Sequence, residues 1–280
     1  MKISAFKKII WNHYKKSGRK LPWRFSKTPT GGGEAYRIFI SEIMLQQTQV
    51  DRVIPKYTSF IKKFRSFKGL AKAQTRDVLR EWQGLGYNRR ALNLKRAAEI
   101  IVERYNGALP HSYEDLVALP GVGPYTAKAL RTFIWNASEV FIETNIRSVF
   151  ITHYADICGP GAEKRRKISD AELVPFIEKS LDIKNPREWY YALMDYGSYL
   201  KRTYPNPNRR SVHHTKQSKF KGSRRELRGT ILRMLHKQKS LTIENVMQET
   251  EKKNSEIRNV LSDLAKEGFI KTSLGQYRIV

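Results

Sequence analysis

The sequence predicts a mainly α-helical protein with a small α+β domain towards its C-terminus. Three observations predict it. Apolar residues recur at helical spacing almost everywhere, and strand signals are scarce until the last few residues. Two predicted helices hinge on the turn Leu119-Pro120-Gly121-Val122-Gly123.

Ile3, Phe6, Ile9, Ile10 and Tyr14 form one face of an opening helix, which Leu21-Pro22-Trp23-Arg24 ends. A loop through Pro29 and Gly31-Gly32-Gly33 follows. No Gly-Lys-Ser/Thr closes that run, so it reads as a flexible linker and not as a phosphate-binding loop. A strongly apolar helix spans Tyr36–Leu45 and meets the polar run Gln46-Gln47-Thr48-Gln49. Shorter helices are expected over Asp51–Phe64, Gly69–Ala73 and Thr75–Gln83, then Gly84-Leu85-Gly86-Tyr87 breaks the chain before a helix over Arg89–Tyr105. Ser112 caps Tyr113–Ala118, with Asp115 in place of the usual Glu of a capping box. Beyond the glycine turn, helices run over Tyr125–Trp135, Asn145–Tyr154, Asp170–Ser180 and Trp189–Leu200. The basic stretch Tyr204–Arg224 reads as a tether. Helices over Glu226–Lys237, Leu241–Thr250 and Ser255–Lys266 and a hairpin turning at Leu274-Gly275 make the pattern of a winged helix.

A chain of 280 residues, 40% hydrophobic, can bury a real core in one large or two to three small domains. Its 53 Lys+Arg outnumber 26 Asp+Glu, for a net charge of +27. Such an excess repels itself in the folded state and points to a polyanionic partner: nucleic acid, an anionic membrane or the ribosome. Between Lys201 and Arg228 ten basic residues face one acid, Glu226. The single cysteine, Cys158, excludes an intramolecular disulfide and any all-cysteine metal or iron–sulfur site. No apolar run approaches the roughly 20 residues that cross a bilayer, and Met1–Lys16 lacks a signal-peptide core, so a soluble cytoplasmic protein is expected.

Two glycines around Val122 allow a turn whose backbone N–H groups face outward. With the next helix N-terminus they suit one phosphate oxygen, a contact without sequence preference; the alternative is an ordinary packing turn. Glu42 lies among Ile38, Phe39, Ile40, Ile43, Met44 and Leu45. A carboxyl buried there would stay protonated near neutral pH, as a general acid requires, although a salt-bridged Glu at a helix edge fits equally. Glu143 precedes a helix and, taken alone, reads as an acid favoured by the helix dipole. It could also stabilise an oxocarbenium-like sugar or orient water.

Together these residues resemble the MutY-type adenine DNA glycosylases, in the superfamily that also holds endonuclease III. The matching stretches are Leu21–Arg24, Ser41–Val50, Gly84–Tyr87 with Arg90–Leu94, Leu119–Thr126, Glu143–Asn145 and Met194-Asp195-Tyr196-Gly197, collinear over roughly residues 1–200. The resemblance implies a two-lobed helix-hairpin-helix glycosylase. One lobe would be 1–22 with 136–203 and the other a six-helix barrel, 23–135, carrying the hairpin at 113–134; a basic linker, 204–224, and a winged-helix domain, 225–280, would follow. It implies that Glu42 protonates a flipped adenine at N7, with Glu143, Tyr125 and Asn145 completing the catalytic set. Trp23, Arg24, Leu45 and Tyr191 would line the base pocket. Gln47 and Tyr87 would fill the opposite strand's stack, and Thr48, Gly121, Val122, Gly123 and Thr126 would bind DNA. Tyr125 stands where bifunctional relatives carry a Schiff-base lysine, implying a monofunctional hydrolase. The implied partner is double-stranded DNA with a mismatched or damaged pair, bound by a monomer associated with the nucleoid.

Four departures stand out. Lys201 occupies the place of the first of four cluster cysteines, so no iron–sulfur cluster, no other cofactor and no metal is expected; His213-His214 without further ligands is a poor metal site. The basic residues after Lys201 would keep the cluster loop's contact with DNA. Glu143 replaces the family's aspartate, and Tyr191 replaces an amide or carboxylate that reads the base edge. A winged helix stands where the family carries a Nudix-like domain; Arg258, Lys266, Lys271 and Arg278 favour its clamping DNA. Two alternatives stay open: a T:G or U:G mismatch glycosylase on the same fold, and a non-catalytic DNA-binding protein.

Overall fold

The opening amphipathic run becomes α1, Ile3–Ser17, with Phe6 and Ile10 fully buried. The computed structural model describes residues 1–24, 32–154, 167–215 and 219–280; Cys158 and Lys216 lie outside them, as do Pro29 and Gly31 of the proposed linker. Helices α2 (Gly32–Leu45), α3 (Val50–Lys63), α4 (Phe67–Lys72), α5 (Thr75–Trp82) and α6 (Arg89–Tyr105) follow. Next come α7 (Tyr113–Ala118), α8 (Pro124–Trp135), α9 (Thr144–Tyr154), α10 (Asp170–Ser180) and α11 (Pro186–Thr203). A 3-10 turn at Pro207–Arg210 precedes α12 (Arg224–Lys237), α13 (Ile243–Thr250), α14 (Asn254–Lys266), β1 (Ile270–Ser273) and β2 (Gln276–Ile279). Among the described residues no helix is long and apolar enough to cross a membrane.

The chain forms two compact units: residues 1–42, 111–118 and 122–216, and residues 43–110, 119–121 and 217–280. In the first, α1 and α9 pack on α11. Phe6 meets Phe150, Tyr154 and Trp189 at ring separations of 5.3, 5.2 and 6.1 Å. Buried Arg187 ends α8 by donating from Nε to the Phe133 carbonyl (2.7 Å) and from a terminal nitrogen to that of Ile134 (3.0 Å). A bidentate pair, Arg147 with Asp170 at 2.6 and 2.8 Å, ties α9 to α10.

In the second unit α4 and α5 pack on α6 and α3 packs on α5, with Trp82, Phe60 and Tyr57 fully buried. Helices α12, α13 and α14 bury Leu227, Ile231, Leu235, Val246, Ile257, Val260, Leu261 and Leu264 against one another and Phe269. Ser223 and Thr242 cap α12 and α13. Strands β1 and β2 pair antiparallel from Ile270↔Ile279 to Ser273↔Gln276. Leu274 and Gly275, at φ +48° and +73°, make the tight turn that this register demands.

Two expectations need correction. Gly32 and Gly33 belong to the first turn of α2, where the sequence reads a linker. The apolar run from Tyr36 extends the helix towards its N-terminus, and Glu34 in that turn complements the helix dipole. The basic stretch after Tyr204 does not begin as a tether. Asn208 is 6% exposed, and Ile168 pairs with Ser211 through Ile168 N to Arg210 O (2.7 Å) and Val212 N to Ile168 O (3.0 Å).

Candidate active site

Glu42 lies near the C-terminal end of α2, one residue after fully buried Ser41, whose hydroxyl donates to the Ile38 carbonyl at 2.8 Å. The carboxyl sits among dense protein atoms although the residue keeps some exposed surface. Burial pushes its pKa up to about 8, the negative charge of Glu143 adds to the rise, and Arg24 opposes it. No salt bridge to Glu42 occurs among the described residues, which favours the protonated carboxyl over the ion-paired one.

Glu143 immediately precedes α9 and caps it. Its Oε1 accepts from the backbone N–H of Asn145 (2.8 Å) and Ile146 (2.9 Å), and its Oε2 from Thr144 Oγ1 and Asn145 Nδ2 (both 3.1 Å). The cap seen here is the helix-dipole reading of this acid, and the charge it fixes is close enough to raise the Glu42 pKa. Asn145 clamps Glu143. Tyr125, in the first turn of α8, is raised well above the usual phenol pKa by burial and then by the charges of Glu42 and Glu143, so its hydroxyl keeps its proton. Phe141 fixes its ring edge-on at 5.6 Å and is itself stacked on Tyr190 at 3.9 Å.

The stretch Met194–Gly197 has two physical uses. Asp195 accepts both terminal nitrogens of Arg24 (2.8 Å each) and the Nε and N–H of Arg19 (2.6 and 2.7 Å), and these cations hold its pKa below the usual range despite burial. Gly197 lets α9 approach: a Cβ there would lie 2.1 Å from the Asn145 carbonyl oxygen. Arg24, so fixed, covers one face of Tyr191 at 4.4 Å, and Phe133 stacks near Tyr191 at 4.9 Å. Tyr191 is 5% exposed. Its ring is therefore packed against Arg24 and Phe133. Trp23 is likewise buried, at 4%, and Leu45 half-buried.

The turn between α7 and α8 needs its glycine, since Gly121 has φ +83° and a Cβ there would lie 3.1 Å from that of Asn93. Gly123 leads α8 without a side-chain cap. Val122 is 5% exposed and can offer only its backbone. Thr126 was expected at the DNA surface but is 4% exposed, because position 126 falls on the inner face of α8 with Ala127 and Leu130.

Gln47 and Tyr87 are both exposed and both adopt positive φ, +54° and +48°. Arg90 pins both loops. It donates to the carbonyls of Ile43, Met44 and Gln46 (2.6–2.9 Å), to Thr48 Oγ1 (2.9 Å), and to the carbonyls of Leu85 and Gly86 (3.3 and 3.0 Å). Thr48 is thus a structural partner of Arg90. Sequence reasoning missed Arg90 as a site residue; the signal available was a lone cation on the apolar side of α6.

Sequence reasoning also missed Asn208. Its amide donates to the Thr144 carbonyl (2.8 Å) and Ser148 Oγ (2.6 Å), so the segment after α11 is fastened to the turn of α9 that carries Glu143 and Asn145. Lys201, half-buried near Glu143, has its pKa lowered by burial. Asn208→Ala should cost about 2 kcal/mol, because it removes two buried hydrogen bonds, although the Thr144 carbonyl keeps the Ser148 hydroxyl as a donor. The check is the urea unfolding midpoint; an unchanged midpoint would show that this segment holds nothing in place.

Residues 40–206 match the HhH-GPD superfamily of base excision DNA repair proteins. An adenine DNA glycosylase of Buchnera aphidicola subsp. Baizongia pistaciae is 36% identical over 201 residues, 71% of this chain and 54% of that protein. One from Mycolicibacterium smegmatis is 39% identical over 149 residues, 53% and 48% of the two chains. The chain thus spans about half the length of the curated relatives it matches. Among solved structures, a thermostable thymine-DNA glycosylase superposes with a TM-score of 0.61 at 23% identity, covering 75% of this chain and 92% of that one. That likeness carries the helix-hairpin-helix glycosylase fold.

Proposed function

The chain belongs to the HhH-GPD superfamily of base excision DNA repair proteins, and from that membership we propose that it is a monofunctional DNA glycosylase releasing adenine mispaired with 8-oxoguanine or guanine. The observation that carries this reading is the pairing of unlike acids. Glu42 holds its proton to about pH 8, while neighbouring Glu143 is set to accept by four hydrogen bonds. Two carboxyls whose surroundings separate their roles are what acid-assisted cleavage of an N-glycosidic bond needs.

In this mechanism the flipped adenine takes the Glu42 proton on N7 and the C1′–N9 bond breaks, its electron pair staying with the base. Positive charge develops on the sugar against Glu143, and water adds at C1′, its proton passing to the carboxylate that Glu42 has become and restoring the acid. Tyr125 carries no amine, so no Schiff base forms at that position and strand cleavage is not part of the reaction. The turn at Gly121–Gly123 and the uncapped start of α8 would bind a phosphate, and Gln47 and Tyr87 would fill the gap left by the flipped base.

A [4Fe–4S] cluster does not fit this chain, because one cysteine cannot supply four thiolates. Where the cluster's first ligand would stand is Lys201, and the following segment is fastened by Asn208 instead.

A second reading, release of thymine or uracil opposite guanine, is favoured by one observation. Tyr191, covered by Arg24 and stacked near Phe133, offers a base no amide or carboxylate fork. Single-turnover reactions on duplexes holding A:8-oxoguanine, A:G, T:G or U:G, with and without alkali, decide between them. Adenine release with strand breaks only after alkali is the expected result. Release of T or U alone would favour the second reading, and breaks without alkali would overturn the monofunctional assignment.

A further inference from the structure

We propose that α14 is a major-groove helix, so that the three-helix-and-hairpin region 224–280 grips lesion-free duplex DNA independently of base release. The proposal stands on the face that α14 turns to solvent. Ile257, Val260, Leu261 and Leu264 are fully buried on one side. Ser255, Arg258, Asn259, Ser262 and Lys266 are exposed on the other. At 100° per residue these five fall within a wedge of about 100°, one continuous stripe along about 20 Å of helix. A helix of that length and a diameter of about 10–12 Å matches a major groove about 12 Å wide.

The chemistry of the stripe is selective. It contains no acid. The acids on the flanks are neutralised: Glu256 pairs with Lys252 at 3.3 Å, Asp263 with Arg224, and Glu267 with Arg228 at 2.8 Å. Among the described residues no ion pair engages Arg258 or Lys266. Glu244 of α13 is near Arg258, whose Nε bonds Asn254 Oδ1 at 2.6 Å, leaving its terminal nitrogens uncommitted. Arg, Asn and Ser in the middle of the stripe are side chains that read base edges, and Lys266 at its end suits a phosphate.

The hairpin agrees with this orientation. Lys271 and Arg278, opposite each other in the β1–β2 register, are exposed, and the tip is Leu274, 100% exposed at φ +48°. An asparagine or glycine would sit there at less strain. A fully exposed apolar side chain in a strained turn suits contact with the sugars of a minor groove beside the helix.

The test uses the full chain and a lesion-free 30-base-pair duplex, with affinity followed by fluorescence anisotropy across a salt series. Arg258→Glu/Lys266→Glu should weaken binding roughly tenfold or more and lower the slope of log K against log salt by about 2. Lys15→Glu/Lys179→Glu, an equal charge change at exposed positions of α1 and α10, is the control for net charge and should do much less. Arg258→Ala, which deletes without reversing charge, should weaken binding in the same direction. Equal losses in the α14 and control variants, or none in either, would overturn the proposal and leave the face to a protein partner. No base is released in this measurement, so its failure and a failure of the glycosylase reading are separate results.

Discussion

Glu42→Gln should release no base while still binding duplex DNA. The substitution keeps the shape and removes the carboxyl proton this site holds ready at neutral pH, so single-turnover release should fall by roughly 10³-fold or more. With its pKa at about 8, Glu42 is about nine-tenths protonated at pH 7, and free-enzyme activity should decline as pH rises through 8. The same group makes a stability prediction with the opposite benefit. The unfolded chain releases this proton near pH 4.5 and the folded chain only near 8, so the folded state binds more protons between those values. Stability therefore falls across that window as pH rises. Gln cannot ionise and escapes the loss, so the variant should be more stable than the parent at pH 8, by about 4 kcal/mol, with the gap closing near pH 4.5. Undiminished base release would remove Glu42 from the chemistry. A pH-independent stability difference would show that its carboxyl is not held protonated by the fold.

What could be read in the sequence follows the range of the forces involved. Helix α6 begins at Arg89 and ends at Tyr105, and α10 spans Asp170–Ser180, as the periodicity predicts, because local breaks and caps such as Asn106 at φ +53° and the Ser169–Glu172 capping box set those ends. The surroundings of Glu42 were legible in part: an apolar run on both sides of a single acid allowed a buried carboxyl or an ion-paired one at a helix edge, and only the fold separates the two. Glu143 was half legible. Its place before a helix indicated a cap, but its nearness to Glu42 joins residues about a hundred positions apart. Asp195, Arg24 and Asn208 were illegible as partners for the same reason: each makes a few directional bonds across 60 or more positions, and such bonds leave no period in the sequence. The glycine run misled because propensity is weak beside the apolar helix that follows it.

Arg90 is where that long-range chemistry has its largest structural effect. Arg90→Met should destabilise the protein by about 4 kcal/mol, since a buried cation that joins two loops leaves five carbonyls and a hydroxyl behind when removed. Burial lowers its pKa only to about 10, so it remains charged wherever the protein is folded near neutrality. Arg90→Lys should recover part of this at most, because one ammonium cannot serve the end of α2 and the Leu85-Gly86 turn at once. The consequence reaches the surface. Gln47 and Tyr87 occupy left-handed backbone conformations that cost each about 1–3 kcal/mol, and Arg90 is the strut common to both loops. Without it the two loops should relax and Gln47 and Tyr87, proposed to fill the opposite strand's stack, should lose their register. Affinity for a mispaired duplex should then fall towards that for a matched one, even in Arg90→Lys protein that is fully folded. A lysine variant with parental stability and parental discrimination would show that the loops hold their own conformation. Reduced discrimination at parental helical content would show that the two loops are positioned from beneath, by Arg90.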